Sequence, residues 1–64
     1  MPTPLDADIE WHEDQISECV GVLAMLLDEP DSSSKRAEQA LLMNWLGKYQ
    51  TTVEHLRRLR GVTN

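Results

Sequence analysis

The sequence predicts an all-α protein, an antiparallel hairpin of two amphipathic helices that dimerises into a four-helix bundle. Three observations carry that expectation. Apolar residues recur at helical spacing on both sides of a single interior proline, Pro30. Charge is segregated about the same point. Finally, 64 residues form one domain at most, and a chain this short buries a small share of its surface.

Residues 1–31 carry nine carboxylates (Asp6, Asp8, Glu10, Glu13, Asp14, Glu18, Asp28, Glu29 and Asp31) and neither lysine nor arginine. Residues 32–64 carry Lys35, Arg36, Lys48, Arg57, Arg58 and Arg60 against Glu38 and Glu54, so the halves stand at −9 and +4 within a net charge of −5. Such halves are built to face each other or a third surface.

The first helix is expected over about residues 4–28. Thr3 is a good N-cap, Pro4 suits the first helical position, and Asp6 sits where a capping box needs a carboxylate. The acids that follow favour the positive end of the helix dipole. Pro30 disfavours helical geometry at Glu29 and closes the helix. A turn over about 29–32 leads to Asp31, Ser32, Ser33 and Ser34, all competent N-caps for a second helix over about 33–60. Arg57, Arg58 and Arg60 complement its negative end, Gly61 is placed for a left-handed C-cap, and 61–64 is expected to fray. Gly21 and Gly47 fall inside the helices at about 1 kcal/mol each relative to alanine, through close packing or plain tolerance.

At 100° per residue, Leu5, Ile9, Ile16, Val20, Leu23 and Leu27 form one stripe on the first helix. The second helix has a broader arc, with Leu41, Trp45, Leu56 and Leu59 on one side and Leu42, Leu46, Tyr49 and Val53 on the other. An arc that wide touches two neighbours. The short loop makes the helices antiparallel, placing Ile9 near Leu56, Ile16 near Tyr49, and Leu23 near Leu41 or Leu42. It also lays the acidic start of the first helix along Arg57, Arg58 and Arg60. One helix-to-helix seam does not cover the apolar surface, and small scaffolds need a disulfide, a metal or a second copy. A single cysteine, Cys19, excludes an internal disulfide, which leaves homodimerisation. The core and dimer set is therefore Ile9, Ile16, Val20, Leu23, Leu27, Leu41, Leu42, Trp45, Leu46, Tyr49, Val53 and Leu56.

Little in the sequence points to chemistry. His12, Cys19 and His55 are the only nitrogen or sulfur ligand candidates, without a paired-ligand motif. They read as seam histidines and a small buried thiol, with neither a metal nor a cofactor expected. Glu10, His12, Glu13 and Asp14 cluster in sequence but point in different directions on a helix. There is no phosphate loop or nucleophile elbow, so an enzyme is not expected. The longest apolar run, Cys19 to Leu27, is far shorter than the roughly 20 residues of a membrane span. It also follows an acidic rather than a basic stretch. With a lone cysteine, that pattern fits the cytoplasm.

The functional signal is misplaced hydrophobicity. Trp11, Val22 and Met25 lie on the far side of the first helix from its main stripe, with Leu26 between the two faces. A tryptophan among Glu10, His12, Glu13 and Asp14 has the anatomy of an interface anchor inside a polar rim. Trp11, Val22, Met25 and Leu26 are thus either the dimer seam or a docking surface for another protein. On the second reading the chain is a stoichiometric adaptor, inhibitor or modulator, as an accessory protein of a phage or mobile element acting on a host regulator would be. The carboxylates between Asp6 and Glu18 would steer such a protein towards a basic groove, or face the arginines of the second helix. The basic end of the second helix offers an alternative. The inferred architecture resembles the small helical-hairpin dimers that regulate plasmid RNA. That resemblance of shape implies nucleic-acid contact through Lys48, Arg57, Arg58 and Arg60. The acidic net charge argues against it.

Overall fold

Thr3 begins the first helix as expected. The computed structural model describes residues 3–63. In it, the Asp6 amide donates to the Thr3 hydroxyl at 3.1 Å, and the Thr3 amide donates to the Asp6 carboxylate at 3.2 Å. This reciprocal capping box, with Pro4 behind it, opens α1 over Pro4–Leu27. The last turn tightens through bonds from the Asp28 amide to the Met25 carbonyl and from the Glu29 amide to the Leu26 carbonyl. Pro30 follows, and α2 runs over Ser33–Thr63. Ser32 is its cap, accepting from the Lys35 amide at 3.0 Å. The Lys35 ammonium reaches back to the Glu29 carbonyl at 2.7 Å and ties the loop shut.

α2 continues through Gly61 to Thr63 instead of ending near residue 60. No described glycine has a positive φ. A left-handed C-cap usually comes with an apolar contact from the residue after the glycine back onto the helix. Here that residue is Val62, at 84% exposure. With nothing for Val62 to pack on, the chain stays helical.

The two helices pack antiparallel as a flat hairpin, 48 × 18 × 12 Å in Cα extent, with no strand among the described residues. Its seam follows a strict alternation of four and three. On α1 the buried or half-buried positions include Leu5, Ile9, His12, Ile16, Cys19, Leu23 and Leu26. On α2 they include Lys35, Gln39, Leu42, Leu46, Tyr49, Val53 and Leu56. This is a repeat of 3.5 residues, that of two helices keeping one edge in contact along their length. Among the described residues, only Ile9, Cys19, Leu26 and Val53 are deeply buried. The core is one side chain deep.

That spacing corrects part of the expected core. Cys19 and Leu26 are 8% and 4% exposed, while their neighbours Val20 and Leu27 stand 52% and 71% exposed. Leu41, Trp45 and Leu59 also lie outside the seam. A stripe drawn straight at 100° per residue drifts about 20° per heptad away from a 3.5-residue seam. Over the three heptads from Leu5 to Leu26 that is roughly 60°, enough to exchange a residue for its neighbour. The expected register sits well with the contacts that cross the seam. Arg60 meets Asp6 at 3.2 Å and Arg57 meets Glu13 at 2.7 Å, so Ile9 lies between the two ion pairs and Leu56 lies one residue before Arg57.

A Cβ built on Gly21 or Gly47 meets nothing within 4 Å, so neither glycine serves a close approach within the hairpin. Gly21→Ala and Gly47→Ala should each stabilise the fold by about 1 kcal/mol, raising the melting temperature by roughly 4–8 °C. Calorimetry on the two variants checks this. A destabilised Gly47→Ala would place another backbone against α2 at that point.

Candidate interaction surface

Once the seam is closed, helix geometry sorts every remaining side chain. With the seam rows taken as a and d of a heptad, the g and c positions make one broad face and the e and b positions the other. The f positions make the outer edges. Among the described residues, seven of the ten exposed large apolar side chains fall on the g/c face. They are Trp11, Val22 and Met25 from α1, and Leu41, Trp45, Leu59 and Val62 from α2. The other three, Val20, Leu27 and Met43, fall on the e face. The outer edges, among them Asp14, Gly21, Asn44, Thr51 and Arg58, carry none.

The g/c face is organised around rings. Trp45 stacks on Tyr49 with centroids 5.8 Å apart and planes 25° from parallel. Trp11 meets the same tyrosine edge-on at 6.0 Å, and His12 completes a triangle with them at 4.8 Å from Trp11 and 6.0 Å from Tyr49. Edge-to-face and offset contacts at these distances are the favourable ones for aromatic quadrupoles. The Lys48 ammonium lies 5.3 Å from the Trp45 ring centre, a cation–π contact. Beside the rings runs a shallow groove lined by Gln15, Glu18, Cys19, Val22, Leu42, Trp45 and Tyr49.

Trp11, Val22 and Met25 are thus exposed on one face, as expected, but Leu26 is not with them. It lies in the seam, where a partner has no access without opening the hairpin. Leu41 and Trp45, assigned to the core by the straight helical wheel, join Trp11 and Met25 outside. The seven-residue spacing of Trp11, Glu18 and Met25, matched by Leu41, Lys48 and His55, was a signal in the sequence that could have grouped them.

The opposite face has a different character. Its groove is lined by Glu13, Ile16, Ser17, Val20, Gln50, Val53, Glu54, Arg57 and Arg58, and an ion pair crosses it. Each arginine at the basic end has a carboxylate: Arg57 with Glu13, Arg58 with Glu54 at 2.8 Å, and Arg60 with Asp6. Of the metal candidates, Cys19 is a buried free thiol and His55 is exposed. The His12 Nδ1 donates to the Asp8 carbonyl at 2.7 Å. Among the described residues no three His, Cys, Asp or Glu side chains converge as a metal site, and no helix is long and apolar enough to cross a membrane. Comparison of the chain with models of protein families, with curated proteins and with solved structures finds no match.

Asp6 ties the start of α1 to the end of α2. The Thr3 amide and hydroxyl donate to its carboxylate, and Arg60 adds a third bond, so its pKa falls below the ordinary value of 3.8. A carboxylate depressed in the folded state stabilises above its unfolded pKa and loses that contribution as pH falls through the folded one. Asp6→Asn should therefore lower the melting temperature at pH 7. The gap from the parent should narrow below about pH 3.8. Thermal unfolding of both proteins between pH 7 and pH 2 measures it, and a gap independent of pH would contradict the assignment.

Proposed function

We propose that this protein is a non-catalytic protein–protein interaction module, a stoichiometric adaptor or modulator that works by covering surface on another protein in the cytoplasm. The observation that carries the reading is the distribution of apolar side chains left over from the seam. They occupy the two broad faces, are concentrated with the rings on one of them, and avoid the outer edges. Exposed apolar patches of this kind, rimmed by charge, mark contact surfaces. Aromatic and methionine side chains are the residues enriched in interface cores. A buried, reduced Cys19 suits a reducing compartment.

Two features weigh against the nucleic-acid alternative. Arg57, Arg58 and Arg60 each engage a carboxylate of the same chain, and the net charge of −5 repels a phosphate backbone. For catalysis, the acidic run of α1 is dispersed. Glu13 faces Arg57, while Glu10 and Asp14 lie exposed elsewhere on the helix. What remains is contact.

Site-specific photo-crosslinking in the producing cell separates these readings. A photoreactive residue at Met25 or Met43, one on each broad face, should give nuclease-resistant crosslinks to protein. The same group at the outer-edge positions Asp14 or Thr51 should give few. Crosslinks to nucleic acid, or equal crosslinking from the outer edges, would contradict the proposal.

A further inference from the structure

We propose that the face bearing Trp11, Val22, Met25, Leu41 and Trp45 is covered by a second copy of this chain. The two hairpins would be related by a two-fold axis parallel to the helices. In the four-helix bundle that results, α1 of one protomer lies on α2 of its partner, and both loops sit at the same end. This rests on the contact function above and names the occupant of one face, leaving Val20, Leu27 and Met43 on the other for a different protein.

Size and charge carry the argument. A face 48 Å long and 18 Å wide matches one side of a standard interface, about 800 Å² per partner. Two flat hairpins can meet through the same face about either of two axes. An axis perpendicular to the helices lays α1 on α1 and α2 on α2. The carboxylates that α1 carries on this face, Asp8 and Glu18, then face those of another α1. With the axis at mid-hairpin, Glu18 meets its own copy on one side and Lys48 its own copy on the other. An axis parallel to the helices lays the acidic helix on the basic one twice over. Like-charge juxtaposition is a strong discriminator between docking modes.

The parallel axis also leaves no freedom to slide, because a pure two-fold keeps each residue of the partner at its own height. Heights are set by the hairpin itself, where Asp6 is level with Arg60 and Trp11 lies by Tyr49. Transferred across the axis, this puts Glu18 opposite the partner's Lys48, Met25 opposite the partner's Leu41, and Val22 between the partner's Leu41 and the partner's Trp45. Glu18 thus meets opposite charge, and Val22 and Met25 meet apolar side chains, without further adjustment. The outer edges, free of large apolar side chains, become the solvent side of the bundle.

Three measurements on the full chain test this. Light scattering coupled to size exclusion should give about twice the 7.3 kDa chain mass at micromolar concentration. Met25→Glu should weaken the dimer at least tenfold, and Leu27→Glu should leave it intact. Both positions are 71% exposed in the hairpin, so neither change attacks the seam. Spin labels at Ser33, placed in a Cys19→Ala background of parental helicity, should lie within about 30 Å of each other across the dimer, the width of a four-helix bundle plus label arms. A folded monomer at high micromolar concentration would overturn the proposal while leaving contact with another protein standing. A dimer broken by Leu27→Glu and not by Met25→Glu would move the second copy to the other face. Label separations near the 48 Å hairpin length would overturn the parallel axis.

Discussion

The four-and-three spacing of the seam is the constraint on which everything else in this hairpin depends. Two helices that meet only along one edge must place an apolar side chain at every 3.5 residues. This chain does so from Leu5 to Leu26, with His12 as a polar exception, and from Leu42 to Leu56. Once the seam has taken those residues, the orientation of every other side chain follows. Trp11 and Met25 are turned to one side because Ile9, His12 and Leu26 are turned inward. Trp45 is turned to the same side because Leu42, Leu46 and Tyr49 are. The exposed aromatic face is therefore a direct product of the seam, and both are written in one repeat.

Electrostatics acts on this frame as a selector of alignment. The cross-helix ion pairs of Asp6 with Arg60 and Glu13 with Arg57 are solvent-exposed, and such pairs contribute about 0–1 kcal/mol each. They add little to stability, but a slip of one helix along the other would part both pairs at once. The segregation of charge into an acidic and a basic helix also sets Arg57 and Arg60 of α2 against carboxylates of α1.

Much of this was legible in the sequence where a local rule decides the outcome. Thr3 with Asp6, Pro4 at the first turn, Pro30 in the loop and the serine cluster before α2 place the helix ends through short-range hydrogen bonds and steric exclusion. These do not depend on the rest of the chain. The antiparallel sense followed from loop length and charge. Which of two adjacent apolar residues enters the seam was not legible from a straight wheel. Cys19 against Val20, Leu26 against Leu27 and Leu42 against Leu41 differ by one residue, and the choice depends on how the helix axis follows its neighbour. The candidate surface inherited that error, gaining Leu26 and losing Leu41 and Trp45. Gly61 shows the opposite case, a strong local signal that has no effect because Val62 has no apolar contact to make.

The seam assignment is tested most directly by one pair of variants at adjacent positions. Leu26→Asp puts a carboxylate into the seam, where an unpaired charge is among the most destabilising of changes. Leu27→Asp puts the same group on an exposed face. Circular dichroism across a thermal melt should show Leu26→Asp largely unfolded at 25 °C and Leu27→Asp within a few degrees of the parent. A folded Leu26→Asp beside an unfolded Leu27→Asp would mean that the seam follows the straight 3.6-residue stripe, and that the aromatic face is not where this structure puts it.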